Sequence, residues 1–335
     1  MEDLLQALVL PEPEARQAWE RWRQGIDVDL LPYQAQQFLP ILNASLPRWL
    51  ANDRAAGIFQ GIVRMVWTQN QLRFRKAVEV AALLERTGVQ PVLAGPLAWA
   101  LQASTGAIRP VPGLTFLVKR GDLGKAADTL IRAGWRPYAE LPSPESLDWS
   151  DLVSFENENL QLYLRWRLIP TAPEDALECE RAFQARLSVV EWNRHQLLTT
   201  SPETTLLHIL CGRREADVTP WQADIALTGL GRVDWKRFRA MALRFAPLAL
   251  DQLQQLRQYR SLAIPELPVD NPAPLRRRYQ FFRTEYRTWS YQRKRSPNWP
   301  GFLQYLAERW HVRSVWRLPF VAARIAVQYR RSLPR

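Results

Sequence analysis

Cysteine and histidine are scarce: the 335 residues contain Cys179 and Cys211, and His195, His208 and His311. Two cysteines exclude a multi-disulfide framework, and a reducing, cytoplasmic setting is expected. The histidines lie far apart with no H-x-x-x-H or similar spacing, so no metal-ligand set can be read from them. His208, within the apolar run TLLHIL, reads as a core histidine, and Cys211, three residues later, as a buried structural thiol rather than half of a nucleophile pair. No apolar run approaches the roughly 20 residues needed to cross a bilayer. The opening MEDLLQALVLPEPEA is acidic with a short apolar run, unlike a secretory signal. Walker spacing, G-x-G-x-x-G and G-x-S-x-G are all missing, which excludes a P-loop, a dinucleotide fingerprint and a nucleophile elbow.

What is present suffices for a folded globular chain: 47% of residues are hydrophobic and 11% aromatic. The formal charge of +12 is unevenly spread. Residues 272–335 carry fifteen Arg or Lys against Glu285 and Glu308, so residues 1–271 are close to neutral, with a net of −1.

Periodicity divides the chain into four stretches. Residues 1–87 read as a helical N-terminal lobe, with a Trp19 and Trp22 pair, Gly25 as a stop, and a long helix carrying Ile58, Ile62, Met65, Val66 and Leu72 and closed by Gly88. Residues 88–172 read as a small α/β core. It has strands at VQPVLAG, GLTFLV and ENLQLYLRWRL, and a helix at GDLGKAADTLIRAGW with Asp122 as N-cap and Gly134 as stop. In the third strand Leu160, Leu162 and Leu164 alternate with Gln161, Tyr163 and Arg165, which predicts one core face and one polar face. Residues 173–264 read as helical, with starts at Ser201-Pro202 and Asp234, and residues 265–335 as a basic, aromatic helical region. The fold class expected is α+β, predominantly helical, with a small mixed sheet.

The order VLAGPLAWAL, an arginine, GLTFLV, LQLYLRWRL, and then WQADIAL with VDWKRFRAMA resembles the uncharacterised bacterial nucleotidyltransferase-like family. That resemblance covers the chain from about residue 90 onward. It implies a nucleotidyltransferase fold whose chemistry needs carboxylates, because Mg²⁺ is bound through oxygen ligands and two acids at i and i+2 of a strand face one metal pair. Carried over position by position, those acids would fall at Gly113 and Thr115 and a third at Tyr163, with Arg165 in place of a histidine and Ala94 in place of a lysine. Gly95, Arg109, Trp221 and Asp224 match the pattern. Asp148, Asp151, Glu156 and Glu158 read as solvated loop residues before the third strand.

The function expected is therefore a catalytically degenerate pseudoenzyme without a resident cofactor. It would bind a nucleotide or phosphorylated ligand through Gly95, Arg109, Arg165 and Arg167, since guanidinium groups pair with phosphate without a metal, or else a protein partner. Two rivals stand beside it. One is an active Mg²⁺-dependent nucleotidyltransferase with displaced acids such as Asp151 or Glu158. The other is a nucleic-acid binder acting through Arg276, Arg277, Arg278, Arg283, Arg287, Arg293, Lys294 and Arg295. Against the last, Tyr279, Phe282, Tyr286 and Trp289 recur at helical spacing, as a packing stripe would. The final segment LPFVAARIAVQYRRSLPR has the composition of a helix that lies on an anionic membrane surface.

Overall fold

The computed structural model of the protein describes residues 1–102, 108–139, 141–142, 147, 151–169, 171, 173–211, 221–227, 230–246, 248–257 and 264–265. The basic arginines and aromatic stripe expected beyond residue 265 lie outside this set. Helices α1 (Glu2–Val9), α2 (Glu14–Gln24), α3 (Tyr33–Phe38) and α4 (Leu46–Trp49) form the N-terminal lobe. Its centre is aromatic: Trp19 sits 5.1 Å from Trp22, 5.7 Å from Trp49 and 5.7 Å from Phe59, centroid to centroid.

Phe59 belongs to α5 (Ala56–Arg86), whose 31 residues join two hydrophobic cores. Phe59 and Val63 serve the lobe, while Phe74, Ala77, Val80 and Leu84 pack under the sheet. The helix stops as the sequence predicts. Gly88 adopts φ +76, its N–H bonds Glu85 O, and the Val89 N–H reaches Leu84 O, closing the last turn.

Then follow β1 (Val92–Leu93), α6 (Gly95–Gln102), β2 (Leu114–Leu117), α7 (Leu123–Arg132), β3 (Arg136–Pro137), β4 (Leu152–Asn157), β5 (Leu160–Arg165), α8 (Pro173–Gln184), β6 (Leu187–Trp192) and β7 (His195–Thr200). Helices α9 (Pro202–Cys211), α10 (Trp221–Leu227), α11 (Trp235–Phe245) and α12 (Leu248–Leu256) complete the described elements. The seven strands form one mixed sheet in the order β3-β4-β5-β2-β1-β7-β6, with β2 parallel to β5 and β1 parallel to β7. The α+β, predominantly helical class holds.

Two expectations are corrected. Residues 173–264 are not wholly helical, because β6 and β7 form a hairpin that extends the sheet. Glu156 is not a loop residue but lies in β4, paired with Gln161 of β5. Both hairpins turn on two residues with positive φ, Glu158 and Asn159 (46°, 66°) and Asn193 and Arg194 (47°, 67°), without a glycine. Among the described residues, no helix is long and apolar enough to cross a membrane.

Candidate functional site

Register places the chemistry-bearing positions on one face of the sheet. Thr115 pairs with Tyr163 across the parallel β2–β5 ladder, and Tyr163 with Ser154 across β4–β5. Gly113 and Arg165 lie two residues to either side on that same face. The positions that would carry three carboxylates are therefore neighbours in space, as the resemblance implies. Their contents differ from a metal site in charge and in room. A Cβ on Gly113 would stand 2.8 Å from Gln161 O and 3.1 Å from Tyr163 Cε2, so the strand beside it and the tyrosine ring occupy the space a side chain would need. The Tyr163 hydroxyl donates to Gln161 Oε1.

Thr115 is equally enclosed. Gly95 opens α6 with φ +58, and a Cβ there would lie 3.2 Å from Thr115 Oγ1. Only glycine suits both that left-handed backbone and that approach, so Gly95 serves here to seat α6 on β2.

Arg165 is fully buried, and its Nη1 donates to Asp151 Oδ2 at 3.0 Å. Asp151 is itself buried, not a solvated loop acid, and its backbone carbonyl accepts from the Trp166 N–H. The prediction of a core face and a polar face for β5 holds in chemistry, but on the polar face Tyr163 and Arg165 are buried and Gln161 is exposed.

Arg109 is the second buried guanidinium. Its Nε and Nη2 donate to Asp224 Oδ1 and Oδ2 at 2.6 and 3.2 Å, its Nη1 donates to Pro110 O at 2.6 Å, and its guanidinium carbon lies 5.0 Å from the Trp99 ring centroid. Asn70 of α5 clamps the same segment, donating to Arg109 O at 2.7 Å and accepting from Val111 N at 3.1 Å. Two of the matching positions, Arg109 and Asp224, thus meet as a bidentate ion pair that ties α10 to the approach to β2. Periodicity gave no sign of Asn70, whose amide stands alone on the buried side of α5.

Arg167, the fourth expected phosphate contact, donates to Thr171 O and Leu147 O, each at 3.2 Å. Cys179 lines the same region, and burial pushes its thiol up to about 12. Glu180 beside it is also raised, chiefly by burial. His208 is buried with its ring edge-on to Trp99 at 5.4 Å, a core histidine as predicted.

The residues of this face do not fit a pair of divalent cations: Gly113 offers no ligand, Thr115 one neutral hydroxyl, and Tyr163 a phenol already bonded. Among the described residues, no three of His, Cys, Asp and Glu gather into a metal-holding group. Glu158, the other acid considered for a displaced site, stands in the exposed β4–β5 turn. No curated protein matches the chain. The family described as uncharacterised nucleotidyltransferase matches residues 35–257, well over half of the 335 residues, and the protein belongs to it.

Proposed function

We propose that this member of the family is a catalytically degenerate one, a binding scaffold for a protein partner that carries out no metal-dependent nucleotidyl transfer. The observation that supports it best is the Gly113, Thr115 and Tyr163 face, where three adjacent positions lack carboxylates and the space beside Gly113 is filled by Tyr163 and the β5 backbone. Transfer of a nucleotidyl group requires cations that hold the triphosphate and offset its developing charge, and these in turn require oxygen ligands.

The arginines fit this reading. Arg165 on this face and Arg109 on the approach to β2 each take their counter-charge from within, from Asp151 and Asp224, instead of from a bound phosphate. For either arginine to hold a phosphorylated ligand in place of its carboxylate, it would have to break a buried ion pair, at a cost of several kcal/mol. The expected result of incubating the protein with each ribonucleoside triphosphate and Mg²⁺ is no release of pyrophosphate. Mg²⁺-dependent release that is lost on Asp151→Asn would overturn the reading in favour of a displaced-acid enzyme.

A further inference from the structure

Helix α5 is patterned twice. Val63, Val66, Asn70 and Ala77 belong to its buried line. A second line runs Ile58, Gly61, Met65, Thr68 and Leu72 at alternating spacings of three and four, continues to Arg75 and Glu79, and is exposed at every position. This is the 3.5-residue repeat of a coiled-coil seam. Ile58, Met65 and Leu72, three of the apolar residues at helical spacing in this helix, are 45%, 43% and 65% exposed. A Cβ on Gly57 or Gly61 would meet nothing within 4 Å, so another backbone can approach closely there. A helix facing only water has no use for apolar residues in that register.

Charge selects the occupant. Residues 56–78 contain Arg64, Arg73, Arg75 and Lys76 and no acid, within residues 1–271, whose net charge is −1. The first acid, Glu79, is already paired with Arg75 and Lys76 at 3.4 and 3.1 Å. In heptad terms Arg64 and Lys76 flank the seam on opposite sides. A second copy of α5 would set these cations against their own kind, and so would the region beyond residue 271, which is itself net +13.

We propose that the exposed seam of α5 is the docking site for an acidic amphipathic helix of a partner protein. Apolar residues of that helix would interdigitate with Ile58, Met65 and Leu72, and Asp or Glu would lie over Arg64 and Lys76. The proposal rests on the scaffold reading and supplies its surface.

The test is fluorescence anisotropy of a labelled synthetic three-heptad helix, with Leu at a and d and Glu at e and g, titrated with the full chain. A matched peptide with Lys at e and g is the control. Saturable binding of the Glu peptide is expected, weakened by roughly tenfold or more in the Lys peptide and in the Met65→Glu/Leu72→Glu protein. Both substituted residues are exposed, and an unchanged urea midpoint will show that the fold is intact. No saturable binding, equal binding of the two peptides, or full retention by the double variant would overturn the proposal. So would variant-sensitive sedimentation with phosphatidylserine vesicles, or variant-sensitive self-association, when the Glu peptide does not bind; these would assign the seam to a membrane surface or to a second copy. Nucleotide turnover, by contrast, would remove the scaffold reading while leaving the peptide result standing.

Discussion

The two faces of strand β2 are buried alike and built on opposite principles. On one, Leu114 and Phe116 lie among Leu162, Leu164 and Phe155 in the main hydrophobic core, where shape and volume alone decide the fit. On the other, Gly113 and Thr115 face Tyr163 and Arg165, and every polar group taken from water needs a partner inside the protein. Those partners are Gln161 for Tyr163 and Asp151 for Arg165. An alternating strand thus announces two different faces without announcing that either is open. On this face Thr115, Tyr163 and Arg165 are buried, while Gln161 at its edge is exposed.

The largest effect tests whether the polar face is as structural as the apolar one. Asp151→Ala removes the carboxylate paired with the fully buried Arg165 and is expected to cost about 3–5 kcal/mol in urea unfolding. Phe116→Ala on the opposite face is expected to cost about the same, 3–5 kcal/mol, through lost burial and a cavity. A loss near zero for Asp151→Ala would break the equivalence of the two faces.

Glycines give the next contrast. Gly113→Ala forces a methyl group to within 2.8 Å of Gln161 O and is expected to destabilise by about 1–3 kcal/mol. Gly61→Ala, in the open interior of α5, is expected to stabilise by about 0.5–1 kcal/mol through helix propensity. Opposite signs for the same substitution in thermal unfolding separate the packed face from the free helix surface.

The smallest effect lies at the lobe surface. A hydrogen bond from Arg23 is the main cause that holds the Asp53 carboxyl below its ordinary value of 3.8. A depressed folded-state pKa means that the pair contributes above the unfolded value and that its contribution is lost as pH falls through the folded one. Arg23→Gln is therefore expected to cost less than about 1 kcal/mol at neutral pH. The difference from the parent protein should vanish in urea titrations as pH drops below the ordinary carboxylate range.

Much of this architecture was legible in local chemistry. Gly88 and Gly134 end α5 and α7 with left-handed backbone (φ 76 and 87), and Asp234 caps α11 by accepting from the Arg237 N–H at 3.1 Å. GLTFLV supplied β2. The two hairpins escaped notice because their turns use Glu158-Asn159 and Asn193-Arg194 where an Asn-Gly signal would have marked them. The state of the polar face was hidden for a different reason. That Arg165 and Arg109 are charged is plain, but the acids that satisfy them stand 14 and 115 residues away, and no local pattern links such pairs. For α5 the trouble was surplus: apolar residues occur on two seams, and spacing alone does not say which one the body covers.

The most direct measurement is calorimetric titration of the purified chain with ATP, with and without Mg²⁺. A sheet face closed by Tyr163 and by the Arg165 and Asp151 pair predicts no saturable heat in either condition. Saturable binding that disappears in the Arg165→Met protein would contradict it, because it would show that the buried Arg165 takes a phosphate beside or in place of its aspartate.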